Sequence, residues 1–168
     1  MKMLLALAVL AMSLSTFAAD KIGFVDIQKI ITSAKQGQNV MKSLEKAFND
    51  KKVKLKKDED AIKKDQEDYK KQSAVMNDAA RVKKEREIQQ QIFELQNKTM
   101  EAQKEINDME RDLKKPIIDR VKTIIEEVSK KAGVAMTVEV STSPIVYAES
   151  KTDLTEEVIK IYDDRNPK

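Results

Sequence analysis

Residues 48–69 read FNDKKVKLKKDEDAIKKDQEDY, and residues 88–109 read IQQQIFELQNKTMEAQKEINDM. In the first stretch Phe48, Leu55, Ile62 and Tyr69 recur every seven positions, and in the second Ile88, Leu95, Ala102 and Met109 do the same. An apolar repeat of that length is the seam of two packed helices. Paired as Phe48/Met109, Leu55/Ala102, Ile62/Leu95 and Tyr69/Ile88, and further down as Leu44/Leu113, the residue numbers always total 157. A constant total is what two antiparallel helices joined by one turn near Asn77-Asp78 require. No glycine and a single proline, Pro116, lie between Gly37 and Gly133, so little else interrupts the rods.

The seam is only partly apolar. With Met41, Phe48, Leu55, Ile62, Tyr69 and Met76 at position a of the heptad, Leu44 is the one apolar residue at d; Lys51, Asp58, Asp65 and Gln72 fill the other d sites. The register sets these four opposite Ile106, Thr99, Ile92 and Glu85. Half a seam buries little area at ~25 cal/mol per Å², so the arm is expected to splay or bend. Surface pairs such as Glu59/Lys63, Asp60/Lys64, Glu67/Lys71 and Glu94/Lys98 support the helices.

Beyond Leu113 the apolar stripe continues through Ile117, Val121, Ile124, Ile125 and Val128 in a changed phase. The change falls at Pro116, which removes a helical hydrogen bond, so Pro116 is read as the elbow where arm meets body, or else as the start of a separate helix. Gly133 is expected to cap that helix. Val134, Met136, Val138 and Val140 then alternate with polar or small residues as a strand with one apolar face, and Ser141-Thr142-Ser143-Pro144 turns into a second strand at Ile145-Val146-Tyr147-Ala148. Asp153-Leu154-Thr155-Glu156 resembles a capping box opening a last helix through Val158, Ile159 and Ile161; either Asp153 or Thr155 can serve as its cap. Near the start, Ile22–Val25 reads as a short strand ending at an N-cap, Asp26, before helically spaced Ile27, Ile30 and Ile31.

The expected fold is therefore mainly α with a small β body, an α+β architecture in which a long antiparallel helical hairpin projects from a short-stranded oligomerising domain. The hairpin occupies 37–116 with its turn near 77–80; the body joins 19–36 to 117–168. A sheet of three short strands cannot cover its own apolar face and leaves open edges, which self-association would close.

Residues 1–18 carry the marks of an export signal. Lys2 is the positive start, Met3 to Leu14 an apolar run too short to span a bilayer, and Thr16-Phe17-Ala18 a small-residue cleavage site. Cleavage is expected after Ala18, and a retained anchor is disfavoured by the charged Asp20-Lys21 that follows. Losing Lys2 leaves 31 basic against 29 acidic groups, a net charge of +2, from the 32 and 29 of the whole chain. So weak a bias, with no tryptophan to stack bases, argues against nucleic acid as a partner. Cysteine and histidine are both absent, which removes disulfides, thiolate or imidazole metal sites, and the usual nucleophile and neutral-pH base. No enzyme, cofactor or metal is expected.

Four local motifs in order carry a resemblance: Lys21-Ile22-Gly23-Phe24-Val25-Asp26 after the signal, Pro116-Ile117 at the body helix, Val146-Tyr147-Ala148, and Asp153-Leu154-Thr155-Glu156-Glu157-Val158. Together, flanking a hairpin, they resemble the Skp/OmpH family of periplasmic chaperones over the whole mature chain. The resemblance implies a homotrimer whose short strands meet in a central barrel, with three arms enclosing a cavity. It implies that the cavity holds unfolded outer-membrane β-barrel proteins without ATP and delivers them for assembly. The weak positive balance leaves contact with anionic lipid or lipopolysaccharide weak and without a local motif.

Candidate client contacts are the arm residues off the seam, Val53, Val75, Phe93 and Met100, joined by Ile92 and Ile106 because their seam partners are polar. Single exposed apolar residues are also normal on any protein. Arg81, Lys83, Lys84 and Arg86 make a basic arm tip that fits a membrane surface or an acidic client, although a solvated face diluted by Glu85 and Glu87 is the plainer reading. A cell-envelope scaffold or adaptor is the alternative function; it would require a seam and tip built for one fixed mate.

Overall fold

A computed structural model describes residues 21–147 and 151–167. The expected signal segment lies outside the described residues. The chain runs β1 (Ile22–Val25), α1 (Ile27–Ser33), α2 (Lys35–Gln72), a 3₁₀ turn (Ser73–Val75), α3 (Asp78–Ala132), β2 (Met136–Glu139), β3 (Lys151–Asp153) and α4 (Thr155–Arg165). The strands form one sheet in the order β2-β1-β3, and both pairings are parallel. Parallel neighbours need a crossover connection. Here the crossover from β1 to β2 is the entire hairpin, so the arm grows out of the sheet's own topology.

Helices α2 and α3 contain 38 and 55 residues, roughly 57 and 80 Å at ~1.5 Å per residue. The turn between them is set by Asn77, whose side chain accepts the Ala80 N–H at 2.9 Å and caps α3. At the far end Gly133 adopts φ 64° and ψ 34°, the left-handed C-cap expected of it. Helix α3 passes through Pro116 without interruption, so the reading of two separate helices meeting there is corrected. Pro116 is exposed while Ile117 beside it is fully buried. Solvent on that side lets the helix tolerate the carbonyl that proline leaves without its usual partner.

The body packs around Ile30, Ile117, Val121, Val158 and Tyr162, each fully buried, with Val25, Ile31, Ala34, Ile124, Val128 and Leu154 around them. Asp26 caps α1 by accepting the Lys29 N–H at 2.7 Å, while its own N–H donates to the Thr155 hydroxyl at 3.1 Å. One corner thereby joins the first helix to the last. Helix α4 starts at Thr155, whose N–H donates to the Asp153 carboxylate at 2.9 Å. The expected capping box does not close, because Glu156 turns instead to Lys29 at 2.7 Å.

Glycine is a poor helix former, yet Gly37 does not interrupt α2. The break between α1 and α2 falls at Ala34, in extended conformation, and Gly37 sits buried inside α2. A Cβ there would stand 1.6 Å from the Ile31 carbonyl oxygen. Glycine is needed for close approach of two helices, with no turn at that position. Since Ala34 offers no side-chain cap, the first N–H of α2, on Lys35, is taken by Asp163 of α4 at 3.0 Å. The Tyr162 hydroxyl also bonds Gln36, and Arg120 reaches Asn166 at 2.8 Å. The root of the arm is thus tied to the C-terminal helix.

The second strand expected at Ile145–Ala148 is corrected as well. Ile145, Val146 and Tyr147 form no strand and are exposed, and Ala148 lies outside the described residues. The strand beside β1 is Lys151–Asp153, registered so that the Leu154 N–H donates to the Phe24 carbonyl at 2.8 Å and Leu154 enters the core. Burial of Leu154 and Thr155 selects the pairing, whereas strand propensity alone favoured the wrong segment.

The turn after β2 is clamped by Glu139, whose carboxylate accepts from the Ser141 hydroxyl at 2.6 Å and from the Thr142 N–H and hydroxyl at 2.7 and 2.8 Å. The Ser141 hydroxyl above all, with the Thr142 donors, outweighs burial and holds this carboxyl at about 2 instead of the usual 4.5. A depressed folded-state value gives stabilisation that is complete above the ordinary carboxylate range and is lost as pH falls through about 2. Glu139→Gln should therefore flatten the thermal midpoint's decline between about pH 4.5 and 2. An unchanged acid slope, read by circular dichroism, would remove the clamp as a source of acid sensitivity.

Candidate functional site

The arm is built from three kinds of cross-helix layer, and their order along it decides where a surface is left open. Three of the polar d residues, Lys51, Asp58 and Asp65, bond to the neighbours of their expected partners. Lys51 pairs with Glu105, Asp58 accepts from Lys98 at 2.6 Å, and Asp65 accepts from Gln91 at 2.8 Å and Lys84 at 3.2 Å. Lys51/Glu105, Asp58/Lys98 and Asp65/Gln91 each total 156, so one antiparallel register runs through all three layers. Each polar residue reaches one position past the expected Ile106, Thr99 or Ile92, because that neighbour carries the complementary group. These partners were missed from the sequence, although the heptad spacing of Gln91, Lys98 and Glu105 carried the signal.

Two of these ties favour the charged forms of Asp65 and Lys98. Hydrogen bonds from Gln91 and then Lys84 hold the Asp65 carboxyl below the usual range, and the Asp58 carboxylate raises the Lys98 ammonium. Nearer the tip Tyr69 donates to Glu85, whose carboxylate raises the phenol. All are solvated and screened, so they specify register more than they add stability. On the surface, Glu59 pairs with Lys63 at 2.7 Å as expected, whereas Asp60 takes Lys56 at 2.9 Å and Lys98 crosses the seam.

Between the ties, the apolar layers are unequal. Ile62 and Ile88 are buried in the upper arm, at 8% and 6% exposure. Lower down, Phe48 is 52% exposed, and a groove of about 850 Å³ opens, walled by Phe48, Leu55, Leu95, Thr99, Ala102 and Ile106. The cause lies in residue volumes. Leu55 faces Ala102, whose methyl group fills little, and Thr99 sits beside the Asp58 layer, so the two rods cannot close over the gap. Lysines 51, 52, 56 and 57 stand around it with Glu59 and Asp60.

The candidate contact residues divide. Val53 and Ile106 line this groove. Phe93 and Met100 are exposed elsewhere on α3, Ile92 is half-buried in the seam, and Val75 projects from the turn, 88% exposed. Among the tip cations Arg81 pairs with Asp78 and Lys84 turns inward to Asp65; Lys83 and Arg86 have no ion-pair partner among the described residues. Phe48, Leu55 and Ala102, read as seam, are the residues whose accessibility the heptad pattern concealed. Among the described residues no group of three or more Asp or Glu is placed to hold a metal ion.

The body presents a second apolar surface. Gly23, Val25 and Thr137 face the helices, where a Cβ on Gly23 would stand 2.6 Å from the Thr137 hydroxyl. The alternate residues, Ile22 and Phe24 of β1 with Met136 and Val138 of β2, share the opposite face, and Val140 continues it. Met136 and Val140 are 53% and 46% exposed. Val134, expected on that face, packs into the core instead, since the bend at Ala135 separates it from the strand.

A family model described as outer membrane protein (OmpH-like) matches residues 21–162. No curated protein matches the chain. Among solved structures, that of a proposed OmpH-like outer membrane chaperone from Caulobacter crescentus CB15 is similar with a TM-score of 0.69 at 15% identity, covering 86% of this chain and 84% of that one. Identity that low speaks to the fold alone.

Proposed function

The chain belongs to the OmpH-like outer membrane protein family, and from that membership we propose that it is an ATP-independent periplasmic holdase. It keeps unfolded outer-membrane β-barrel proteins soluble between helical arms until they reach the outer-membrane assembly machinery. The observation that carries this reading is the open, partly apolar arm standing off a body that exposes one face of its sheet. Many weak contacts on several arms gain avidity through effective concentration without a deep pocket.

In this proposal the body comprises 19–36 and 117–168, the arm 37–116, and Pro116 is the elbow between them. Three copies join through the outer face around Phe24 and through the exposed edges of β2 and β3, as in the family the sequence resembles. Cleavage after Ala18 places the mature chain in the periplasm. Val53, Val75, Ile92, Phe93, Met100 and Ile106 supply dispersed client contacts, and the tip cations Lys83 and Arg86 contribute at most weak attraction to anionic lipid or lipopolysaccharide. A scaffold or adaptor would need a seam closed for one mate, and the gap beside Ala102 weighs against that alternative.

The test is direct. Mature protein mixed with a urea-unfolded outer-membrane barrel protein, without nucleotide, should suppress aggregation on dilution and yield a stoichiometric complex by size-exclusion chromatography. Equal light scattering with and without it would defeat the holdase reading and favour the scaffold.

A further inference from the structure

We propose that the groove between Phe48/Leu55 and Leu95/Ala102/Ile106 is a slot for one extended peptide segment with alternating apolar side chains and an acidic flank. The inference rests on the holdase reading and names the piece of client that each arm takes. Apolar walls with a gap of about 850 Å³ are the first ground. These walls are open to solvent, and a bound side chain gains contact by covering them.

The length of the slot selects an extended occupant. The slot runs along α2 from Phe48 to Asp60, about 18 Å along a helix, and is crossed by the ties Lys51–Glu105 and Asp58–Lys98. That distance holds roughly five residues of extended chain, so side chains at i, i+2 and i+4 enter together from one face. A helical occupant would need an unbroken apolar stripe, which these two ionic layers interrupt.

Charge selects the flank. Glu59 and Asp60, the two acids at the groove, are both engaged by Lys56, at 3.3 and 2.9 Å, and Glu59 also by Lys63 at 2.7 Å. Lys51 is engaged by Glu105. Lys52 and Lys57 also border the groove and have no ion-pair partner among the described residues. The wall therefore offers two uncompensated cations beside an apolar cleft, which is complementary to an alternating apolar strand ending in carboxylates.

Filling the gap from within tests the slot. Ala102→Leu changes helix propensity little and supplies the missing side chain. A fluorescein-labelled octapeptide of alternating valine and threonine ending in two glutamates should bind the mature protein and lose about tenfold in affinity for this variant, with the thermal midpoint equal or higher. The same peptide ending in two lysines should bind wild type about tenfold more weakly. Should Ala102→Leu melt lower, Lys52→Ala/Lys57→Ala is the second variant; it should weaken the glutamate peptide about tenfold and leave the lysine peptide unchanged. Equal affinity of the glutamate peptide for wild type and the variants overturns the slot, as does dodecanoate binding there without any peptide binding, or displacement of the peptide by a synthetic 145–147 segment of this chain. Retention of the full-length unfolded client by wild type, measured alongside, separates the two ideas: if the client is retained and the peptide ignored, only the slot falls.

Discussion

Gly37→Ala should collapse the junction of arm and body. The added Cβ would lie 1.6 Å from the Ile31 carbonyl oxygen and 2.7 Å from its carbon, both backbone atoms that no rotamer change can move. Relief requires separating α1 from α2, which drags Ile30 and Ile31 out of a core where they are 0% and 3% exposed. A loss of about 3 kcal/mol or more is expected, at the upper end of overpacking effects and a large share of the 5–15 kcal/mol of a typical fold. The thermal midpoint should fall by roughly 10 °C. Gly133→Ala is the useful contrast, since nothing lies within 4 Å of its Cβ and only the positive φ of 64° opposes it, so a loss of about 1–2 kcal/mol is expected. If the Gly37 variant melts within a degree of wild type, the close corner between α1 and α2 does not exist.

In the proposed assembly, Phe24→Asp should leave single chains and abolish the proposed client retention. Phe24 lies on the outward face of the sheet beside Ile22, Met136 and Val138, so a carboxylate there disturbs no core of the single chain but meets apolar surface in any self-association through that face. Light scattering should report the mass of one chain, with the far-ultraviolet helical signal intact. Arms freed from their common base lose the effective concentration that gives weak contacts their hold. Val25→Asp, one residue on, points inward at 3% exposure and should unfold the body instead. Unaltered mass for Phe24→Asp would rule out self-association through this face.

The opposite behaviour expected of Phe24 and Val25 illustrates how unevenly the sequence could be read. Period-two alternation named Met136, Val138 and Val140 as one face of a strand, but could not say that this face points away from the helices. The arm's register was accessible from the heptad positions. Its open lower half was not, because Leu55 opposite Ala102 and Ile62 opposite Leu95 read as equivalent apolar layers, and only the volume left after packing distinguishes them. Of the candidate contact residues, Val53 and Ile106 meet at the groove while Phe93 and Met100 do not, a division that depends on which side of the seam gapes.

Local chemistry in the chain was sufficient to determine two antiparallel rods, the cap at Asp26, the turn at Asn77 and the left-handed stop at Gly133, because periodicity and capping involve residues within a few positions of one another. Tertiary structure alone decided that Lys151–Asp153 and not Ile145–Tyr147 lies against β1, that Gly37 admits a neighbouring carbonyl instead of ending a helix, and that the seam closes at Ile62 and Ile88 but opens at Ala102. Those outcomes are competitions for the same buried space between segments as far as about 130 residues apart, as in the Asp26–Thr155 corner, whose separation is 129. Neither the period nor the propensity of a short segment records who wins that space.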